Sequence, residues 1–531
     1  MKVAILDGYV DEPSCLGVPP YISPYPRYIY GMLRYLKIKP RYLTIDQIRG
    51  REFELENFDL VIIIAGIAVP GKYLGGNPMS LRDLMRISGL KVEKILLGPI
   101  TLEIEKDSLN SYTILEHPFE RDLLKILSKK FEGDMSINKF AILGAEVVRQ
   151  HPDFPYVICE IETYKGCYWG KCSFCIERFQ KLDMRDPRAV ISEIKALYNQ
   201  GVRYFRIGNQ TDFFTYMADF RYEFPKPNPE FMKNFHRAIW RECPKIKTLH
   251  LDNVNPKTIA EYPEESREIV KTIVTYQTPG NVGAMGLESA DERVVRKNNL
   301  CATPEEVKFA VKLVNEYRCI GYNGLPCFLP GLNFVIGLRG ETKETFEKNY
   351  AFLRELLEED LWVRRINIRQ VKVFKGTPME KVGYRNVMRH KRYFKVFKEK
   401  VRREIDREML KRILPVGRRL TDLRCEVVRG KVTFARQIAT YPILVGVVGE
   451  YERNTILDAR VVDYGRRSIT AVPILNPNDA KLHQLEAIPN IGKKLAGRIV
   501  ANRPYKSLED LRVVLGEVFE RVKDFFEAKA L

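Results

Sequence analysis

The sequence predicts an α/β protein with a Rossmann-like N-terminal domain, a partial (βα)6 barrel, a small β-barrel-like segment and a C-terminal helix-hairpin-helix. Three observations lead to this fold class. Apolar strands alternate with amphipathic helices through residues 1–385, which is typical of parallel sheets. Short strands separated by turns occupy residues 415–474, and two short helices joined by a tight turn follow in residues 475–531. The 531 residues suffice for several domains of about 150 residues each.

Residues 1–150 form the predicted Rossmann-like domain. Its clearest elements are a strand at Val3–Asp7, a helix at Tyr25–Leu36, a strand at Leu60–Ala65 and a strand that begins at Lys94. The unbroken apolar run at Leu60–Ala65 is typical of a strand buried on both faces of a sheet. The loops over residues 17–27 and 66–78 follow strands, so we expect both at the carboxyl edge of the sheet, where ligands bind.

Residues 151–385 form the predicted partial barrel. The first strand is Val157–Glu162, and later strands contain Arg203, Thr248, Gly283, Asn333 and Arg369. A loop with three cysteines comes directly after the first strand. This order places the cysteine loop at the carboxyl end of the barrel, where such folds carry out chemistry.

The three cysteines are Cys167, Cys172 and Cys175, in the run Gly-Cys-Tyr-Trp-Gly-Lys-Cys-Ser-Phe-Cys. Thiolates this close together on one loop converge on a single metal centre. No fourth cysteine or histidine lies just downstream, and a closed zinc site requires a fourth ligand. Three cysteines instead suit an iron–sulfur cluster with one iron open to substrate. The alternative is a zinc knuckle or a chance clustering.

This loop resembles that of the radical S-adenosylmethionine (radical SAM) enzymes, whose usual spacing is C-x3-C-x2-C. Here the first gap holds four residues, and the Gly170 backbone can absorb the extra one. The resemblance implies that the thiolates hold a [4Fe–4S] cluster whose fourth iron binds S-adenosylmethionine. One electron from a donor such as ferredoxin or flavodoxin then cleaves the sulfonium to methionine and a deoxyadenosyl radical. The cofactors carry the chemistry, and the protein positions and shields them.

The resemblance also implies which residues bind S-adenosylmethionine. They are Phe174, Gly208, Asn209, Glu288, Ser289, Ile336, Gly337 and Glu341. Gly208-Asn209-Gln210 replaces the Gly-Gly-Glu-like motif that binds the methionine amino group in the family. The catalytic residue that directs the radical is not assigned, although Cys327 or Tyr164 could serve.

The N-terminal domain is similar in position to the one that precedes the core in cobalamin-dependent members and in methylthiotransferases. It departs from both groups. The Asp-x-His-x-x-Gly motif that ligates cobalamin is missing, because His117 and His151 are each followed by proline. Of the three cysteines that hold a second cluster in methylthiotransferases, only Cys15 is present. Cobalamin is therefore a possible cofactor without a histidine motif, and a structural or substrate-shaping domain is the alternative.

Residues 386–414 are predicted to form a basic linker helix. Phe394, Phe397, Val401 and Ile405 have helical spacing, so one face packs while the other is cationic. The cationic face either is solvated or contacts nucleic acid. The strands of residues 415–474 predict an OB-like barrel, a shape often used to bind nucleic acid. In position this segment resembles the RNA-binding barrel that ends methylthiotransferases.

Residues 475–531 resemble a helix-hairpin-helix module. We expect Gly492 to allow the tight hairpin and to open the second helix. The free amides at Ile491 and Gly492, with Lys493 and Lys494, then form a site for a backbone phosphate. A hairpin that only docks protein is the alternative.

Charge and composition agree with a nucleic-acid partner in the cytoplasm. The net charge is +19, and residues 389–531 hold 31 Lys and Arg against 18 Asp and Glu, so +13 of the excess lies there. Such a localised basic surface is typical of phosphate-bearing partners. Ten cysteines are too few for a disulfide scaffold, and the seven outside the loop are expected to be mostly buried small hydrophobic residues. No stretch approaches the ~20 apolar residues of a membrane helix.

The sequence hypothesis is therefore an enzyme that modifies a nucleic acid, with RNA favoured over DNA, by tRNA base methylation or methylthiolation. A radical SAM enzyme acting on DNA is one alternative. A cluster-bearing nucleic-acid-binding protein without turnover is another.

Overall fold

A computed structural model describes residues 1–10, 21–67, 76–103, 110–116, 119–128 and 136–527. The predicted mixed α/β architecture is confirmed. One hydrophobic core runs from the N-terminal sheet through the barrel into the small β-barrel, with Ile5, Phe205 and Val445 among its buried members. A second cluster lies on the other face of the N-terminal sheet, and a third lies among the C-terminal helices and the adjoining small barrel.

The N-terminal sheet has five parallel strands in the order β3-β1-β4-β5-β6. The strands of this region are β1 (Val3–Asp7), β2 (Tyr21–Ile22), β3 (Arg41–Thr44), β4 (Leu60–Ile64), β5 (Glu93–Leu97) and β6 (Thr113–Ile114). The helices are α1 (Pro24–Tyr35), α2 (Ile45–Ile48), α3 (Leu81–Ser88), α4 (Glu120–Leu127) and α5 (Ile137–Leu143). Strands β1 and β4 are buried throughout, as their unbroken apolar sequences predict. Residues 17–20 and 68–75 of the two predicted ligand loops, together with Cys15 and His117, lie outside the described residues.

The partial barrel has six parallel strands in two sheets that a bridge between Asn253 and Ala284 connects. Its strands, with a small hairpin after the first, are β7 (Ile158–Glu162), β8 (Tyr164–Lys165), β9 (Asp183–Met184), β10 (Tyr204–Gly208), β11 (Thr248–Leu251), β12 (Asn281–Glu288), β13 (Phe328–Ile336) and β14 (Ile366–Gln370). The helices are α6 (Pro187–Asn199), α7 (Pro229–Glu242), α8 (Pro256–Glu261), α9 (Pro263–Tyr276), α10 (Glu292–Asn298), α11 (Pro304–Asn315) and α12 (Lys343–Glu358).

The N-terminal region is joined to this barrel through one shared strand and one helix. Strand β2 pairs in parallel with β7, so it becomes the edge strand of the barrel sheet. The following helix α1 is fixed by Arg27, whose fully buried guanidinium contacts Glu193 of α6 at 2.7 Å. A charge this deeply buried requires a partner, and Glu193 supplies it.

A helical segment and a closed barrel follow the core. The segment comprises α13 (Arg385–Arg389), α14 (Lys391–Val401), a π-helical turn (Arg402–Asp406) and α15 (Arg407–Ile413). The barrel strands are β15 (Arg419–Arg429), β16 (Val432–Arg436), β17 (Leu444–Val448), β18 (Ile456–Tyr464) and β19 (Ser468–Pro473), in the closed order β15-β16-β17-β19-β18. The sequence predicts four of these strands and misses β19, whose residues 468–473 were not recognised as a strand.

Four short helices end the chain: α16 (Leu482–Glu486), α17 (Lys493–Ala501), α18 (Leu508–Leu515) and α19 (Phe519–Val522). They share a core with the small barrel, since Val448 and Val472 pack among Leu485, Ile488 and Ile499. None of the helices in the described ranges is long and apolar enough to cross a membrane.

The cysteines outside the loop differ in their environments. Among those that the structure describes, Cys159, Cys243 and Cys425 are buried free thiols, while Cys319 and Cys327 form a disulfide bond. Cys327 precedes β13 at its amino end and therefore cannot direct a radical at the barrel mouth. Tyr164 is fully buried, and its hydroxyl contacts Thr211 and donates to the Asp212 carbonyl at 2.7 Å, which makes it a structural residue.

Candidate active site

The cysteine loop follows β7 and the short strand β8, at the carboxyl end of the barrel, as predicted. Gly166 and Gly170 adopt φ values of +82° and +58°, a conformation that side-chain-bearing residues rarely adopt. A Cβ added to Gly170 would meet only the Cys167 carbonyl oxygen, at 3.6 Å. Backbone conformation, and not crowding, therefore requires glycine here, and the left-handed turn accommodates the four-residue gap.

Contacts from distant parts of the chain fix the loop. Ser173 donates from its amide to the Asn298 carbonyl at 2.9 Å and from its hydroxyl to the Asn298 side chain at 2.7 Å. The Trp169 indole donates to the Asn299 carbonyl at 2.8 Å. Phe174, predicted beside the cofactor, packs with Cys172, Val335 and Val387 in a small apolar cluster. These contacts hold the loop without using the three thiols.

The thiols of Cys167, Cys172 and Cys175 are free and half-buried. Burial raises the pKa of Cys175 to about 12. Burial is also the largest cause of the raised pKa of Cys172. Four nearby groups that can carry negative charge raise this pKa further: Glu288, Cys175, Cys301 and Cys167. Glu288 therefore lies within electrostatic range of the Cys172 thiol.

The sequence left two kinds of metal centre open for the three thiols. Within the part of the chain that the structure describes, no three His, Cys, Asp or Glu side chains converge on a position for one metal ion. Zinc ligands must all come within about 2.3 Å of a single ion, whereas thiolates that hold a cluster bind different iron atoms.

Glu288 is the predicted S-adenosylmethionine contact that reaches the thiols. It ends β12 with a φ of +54°, and its carboxylate folds over Gly286, where an added Cβ would lie 2.6 Å from Oε1. Burial alone raises the pKa of Glu288 to about 8. No hydrogen bond or ion pair among the described residues engages this carboxylate. A partly buried acid without a partner is costly to an isolated fold, which indicates a group that awaits a ligand.

Gly208 and Asn209 lie at the carboxyl end of β10. A Cβ on Gly208 would lie 2.3 Å from Glu160 Oε1, so this glycine makes room for a protein carboxylate. The Asn209 amide donates to Glu162, the last residue of β7. Burial raises the pKa of Glu162, while Lys165 and Arg185 oppose that rise. Glu162 is a carboxylate beside the cysteine loop that the sequence interpretation overlooked, and its position at the end of the strand was the available signal.

The remaining predicted cofactor residues are engaged within the protein. Ser289 accepts from the Asp291 amide at 3.2 Å and is buried in the turn before α10. Glu341 accepts from the Gly337 amide at 2.7 Å and contacts His390 Nδ1 at 2.7 Å. Ile336 is buried at the end of β13. The structure thus brings Glu288, Asn209 and Phe174 to the loop and gives Ser289 and Glu341 structural partners.

A fourth free cysteine, Cys301, adjoins the site. Its sulfur lies 3.9 Å from the Tyr168 hydroxyl, and the Asn255 amide donates to it at 3.3 Å. Burial raises its pKa to about 12, and the neighbouring Cys167 adds to that rise. Sequence reasoning could not find this residue, because 126 residues separate it from Cys175.

The predicted phosphate site lies at the start of α17. Gly492 caps the helix, and a Cβ added to it would meet nothing within 4 Å, so the backbone is open to a ligand. Lys493 and Lys494 are exposed, while Ile491 is buried with the hairpin core. The hairpin residue with left-handed backbone is Asn490, at φ +71°, and not Gly492 as expected.

Comparisons with known proteins agree with these features. A family model described as a helix-hairpin-helix motif matches residues 472–527. The chain is 61% identical over 528 residues to an uncharacterized protein of Archaeoglobus fulgidus, covering 97% of this chain and 98% of that one. It is 44% identical to the uncharacterized protein MJ0274 of Methanocaldococcus jannaschii, covering 88% and 92%.

A more distant match is the ribosomal protein uS12 methylthiotransferase RimO of Bdellovibrio bacteriovorus, 24% identical over 44% of this chain and 49% of that protein. Among solved structures, the radical SAM methyltransferase TsrM of Kitasatospora setae gives a TM-score of 0.48 at 15% identity, covering 71% of this chain and 74% of that one. The cobalamin-dependent radical SAM enzyme OxsB gives 0.49 at 13%, covering 74% and 61%. Radical SAM enzymes are thus among the solved structures to which the chain is distantly similar.

Proposed function

We propose that this chain, which belongs to one family with the Archaeoglobus fulgidus and Methanocaldococcus jannaschii proteins, is a radical SAM enzyme that modifies a nucleic acid. The observation that carries the proposal is the set of three free thiols at the carboxyl end of the barrel, beside the unengaged carboxylate of Glu288. Cys167, Cys172 and Cys175 would hold a [4Fe–4S] cluster. S-adenosylmethionine would lie between the cluster and Glu288.

When bound, the cluster and S-adenosylmethionine supply reductive cleavage of the sulfonium. The chain contributes binding, orientation and exclusion of water. Glu288 and Glu162 offer carboxylates to the ammonium group of the methionine moiety, and each lies at the carboxyl end of a strand. Tyr168 and Trp169 are aromatic residues of the loop itself. The Trp169 ring is stacked on the Phe224 ring, and the two ring centroids are 6.0 Å apart. Apolar rings of this kind strengthen charge interactions inside the site because they exclude water.

The cleavage chemistry has a direct test. Reduced wild-type protein, reconstituted with iron and sulfide, should convert S-adenosylmethionine to deoxyadenosine and methionine. Cys172→Ala should abolish the product, while Cys243→Ala should keep it, because Cys243 is buried at the opposite end of the barrel. Turnover that survives in Cys172→Ala would overturn the assignment of the loop, and an intact cluster without any product would favour a binding protein.

Two features support a nucleic acid as the substrate. The open Gly492 backbone with Lys493 and Lys494 suits a phosphate at the start of a helix. The closed five-stranded barrel beside it has the shape of an OB-like module. Within nucleic acids we favour RNA, specifically tRNA, and transfer of a methyl or methylthio group to a base. The similarity to a methylthiotransferase, which covers 49% of that protein's length, supports this reaction class.

Binding separates the substrate classes. Unmodified transfer RNA should compete for the full-length protein more strongly than duplex DNA at moderate salt. A preference for the duplex would favour a DNA substrate. Binding to tRNA no better than to a neutral polymer would remove the nucleic-acid half of the proposal and leave the cleavage chemistry intact.

Cobalamin is not part of the proposal. A cobalt ligand of the expected kind is a histidine, and the sequence has none before His117, which lies outside the described residues. His151 is buried, 6.1 Å from the Tyr42 ring, and burial lowers its pKa to about 4. A buried neutral histidine that packs on tyrosine is a structural residue.

A further inference from the structure

The helix-hairpin-helix lies on the side of the barrel away from the cysteine loop. The small β-barrel that carries it contacts the amino ends of the barrel strands. Thr248, the first residue of β11, donates to the Ile438 carbonyl at 2.6 Å, and Arg424 pairs with Asp153, ahead of β7, at 2.7 Å. Strand β7 alone has five residues, or about 16 Å of length. A nucleic acid held only by the hairpin therefore needs a second contact to bring a base to the thiols.

The helical segment of residues 385–413 joins the two ends of the barrel. At the carboxyl end, Val387 packs with Cys172 and Phe174, and Asn386 donates to the Leu338 carbonyl at 2.7 Å. At the amino end, Arg412 contacts Asp360 at 3.1 Å. Residues 391–413 span about 34 Å at 1.5 Å per residue. The segment thus runs from the cysteine loop towards the tail.

The cations of this segment fall into two groups. In the second half, four of the five cations have acidic partners: Arg402 with Asp406, Arg403 with Glu404, Lys411 with Glu408, and Arg412 with Asp360. Arg407 is the exception among the described residues. In the first half, Arg385, Arg389, Arg392 and Lys395 are exposed, and none forms an ion pair with any residue that the structure describes. Unpaired cations on one short stretch create a local positive field suited to phosphates.

Exposed aromatic rings accompany the unpaired cations. Tyr384 is 44% exposed and Tyr393 is 45% exposed. Tyr393 is braced against the Phe346 ring at 5.8 Å, so its orientation is fixed. Cations that follow a backbone and rings on which bases stack are the two parts of a single-strand binding surface. We call this set the mouth surface: Tyr384, Arg385, Arg389, Arg392, Tyr393 and Lys395.

We propose that the mouth surface binds a single-stranded stretch of the RNA substrate beside the cysteine loop, while the helix-hairpin-helix holds a backbone elsewhere on the same molecule. This inference rests on the proposed function. It adds that recognition is divided between two surfaces on opposite ends of the barrel. It also assigns single-strand affinity to the mouth surface and not to the hairpin.

The test compares two triple variants of the full-length protein that remove equal charge. Arg389→Ala/Arg392→Ala/Lys395→Ala takes unpaired cations from the mouth surface. Arg403→Ala/Lys411→Ala/Arg412→Ala takes paired cations from the same segment. We measure the affinity for a single-stranded RNA oligomer over a range of salt. The mouth variant should bind at least about tenfold more weakly, and its salt slope should fall by about 2, at roughly 0.7 per phosphate contact. The control variant should match the wild type.

Other outcomes separate the possible failures. Equal loss in both triple variants, or none in the mouth variant, would overturn the inference while wild-type RNA binding stands. A wild type that binds no RNA would defeat the proposed function itself. If RNA binding is unchanged but flavodoxin supports less cleavage than dithionite does in the mouth variant, the surface receives an acidic electron donor, and the inference is wrong. Tyr393→Ala should weaken single-strand binding, whereas Tyr393→Phe should not.

Discussion

Two sets of charged side chains in the partial barrel differ in how they are partnered. In the first set the charges are paired. Arg206 of β10 contacts Asp252, which follows β11, at 2.5 Å and Glu160 of β7 at 3.4 Å, and the Tyr441 hydroxyl donates to Asp252. In the second set, near the cysteine loop, Glu288 of β12 has no partner among the described residues, and the three thiols form no disulfide.

This difference separates architecture from function. Tyr441 comes from the small barrel, and the Arg365 guanidinium lies 3.8 Å from its ring centroid, so the paired charges dock the tail onto the core. Breaking one partner of such a buried set is costly to the fold. The unpaired carboxylate stabilises nothing in the protein alone, which is expected where a ligand completes the site. Substitutions in the paired and unpaired sets should therefore affect different measurements.

The largest effect should come from the carboxyl end. Cys172→Ala should lose almost all cluster iron after reconstitution, because two thiols cannot retain a cluster that needs three. Iron and sulfide content per chain checks this. Cys243→Ala, at the amino end, should retain the wild-type content. A cluster that persists in Cys172→Ala would show that the loop is not the ligand set.

In the paired set, Asp252→Ala should lower the free energy of unfolding by about 3–5 kcal/mol, because the buried Arg206 would lose its nearest carboxylate. Urea denaturation measures the change. Tyr441→Phe removes one hydroxyl and should cost about 1 kcal/mol. A mild effect of Asp252→Ala would mean that the paired charges do not stabilise the fold.

Glu288→Gln should have the reverse profile. No bond within the described protein is lost, so the free energy of unfolding should stay within about 0.5 kcal/mol of the wild type. Affinity for S-adenosylmethionine should fall about tenfold, as expected for loss of one charged hydrogen bond. Equilibrium binding to the reconstituted protein gives the affinity. A destabilised variant with normal affinity would place Glu288 with the paired structural charges around Arg206.

The smallest effect is expected in the tail. Lys493→Ala/Lys494→Ala should reduce the salt slope of nucleic-acid binding by about 1.8, at roughly 0.9 per duplex phosphate contact, with little change in cleavage of S-adenosylmethionine. Titrations at several salt concentrations measure the slope. An unchanged slope would assign the hairpin to protein docking.

Most of the features that were predicted correctly from the sequence depend on local patterns of residues. The apolar runs of β1 and β4, the cysteine spacing and the hairpin around Gly492 are each contained within a few residues, so they are legible in the chain. The direction of a side chain and its distant partners are not. Glu341 is engaged by His390, 49 residues away, and Cys301 reaches Tyr168 across 133 residues. Tyr441 meets Asp252 only because the small barrel docks onto the core.

The most direct test is electron paramagnetic resonance of the anaerobically reduced, reconstituted protein, recorded before and after addition of S-adenosylmethionine. The account predicts a [4Fe–4S]⁺ signal whose shape changes on addition, because an iron without a thiolate becomes the binding site. A cluster signal that is indifferent to S-adenosylmethionine, or bound zinc in place of iron, would contradict the claim that the carboxyl end of the barrel is a radical SAM site.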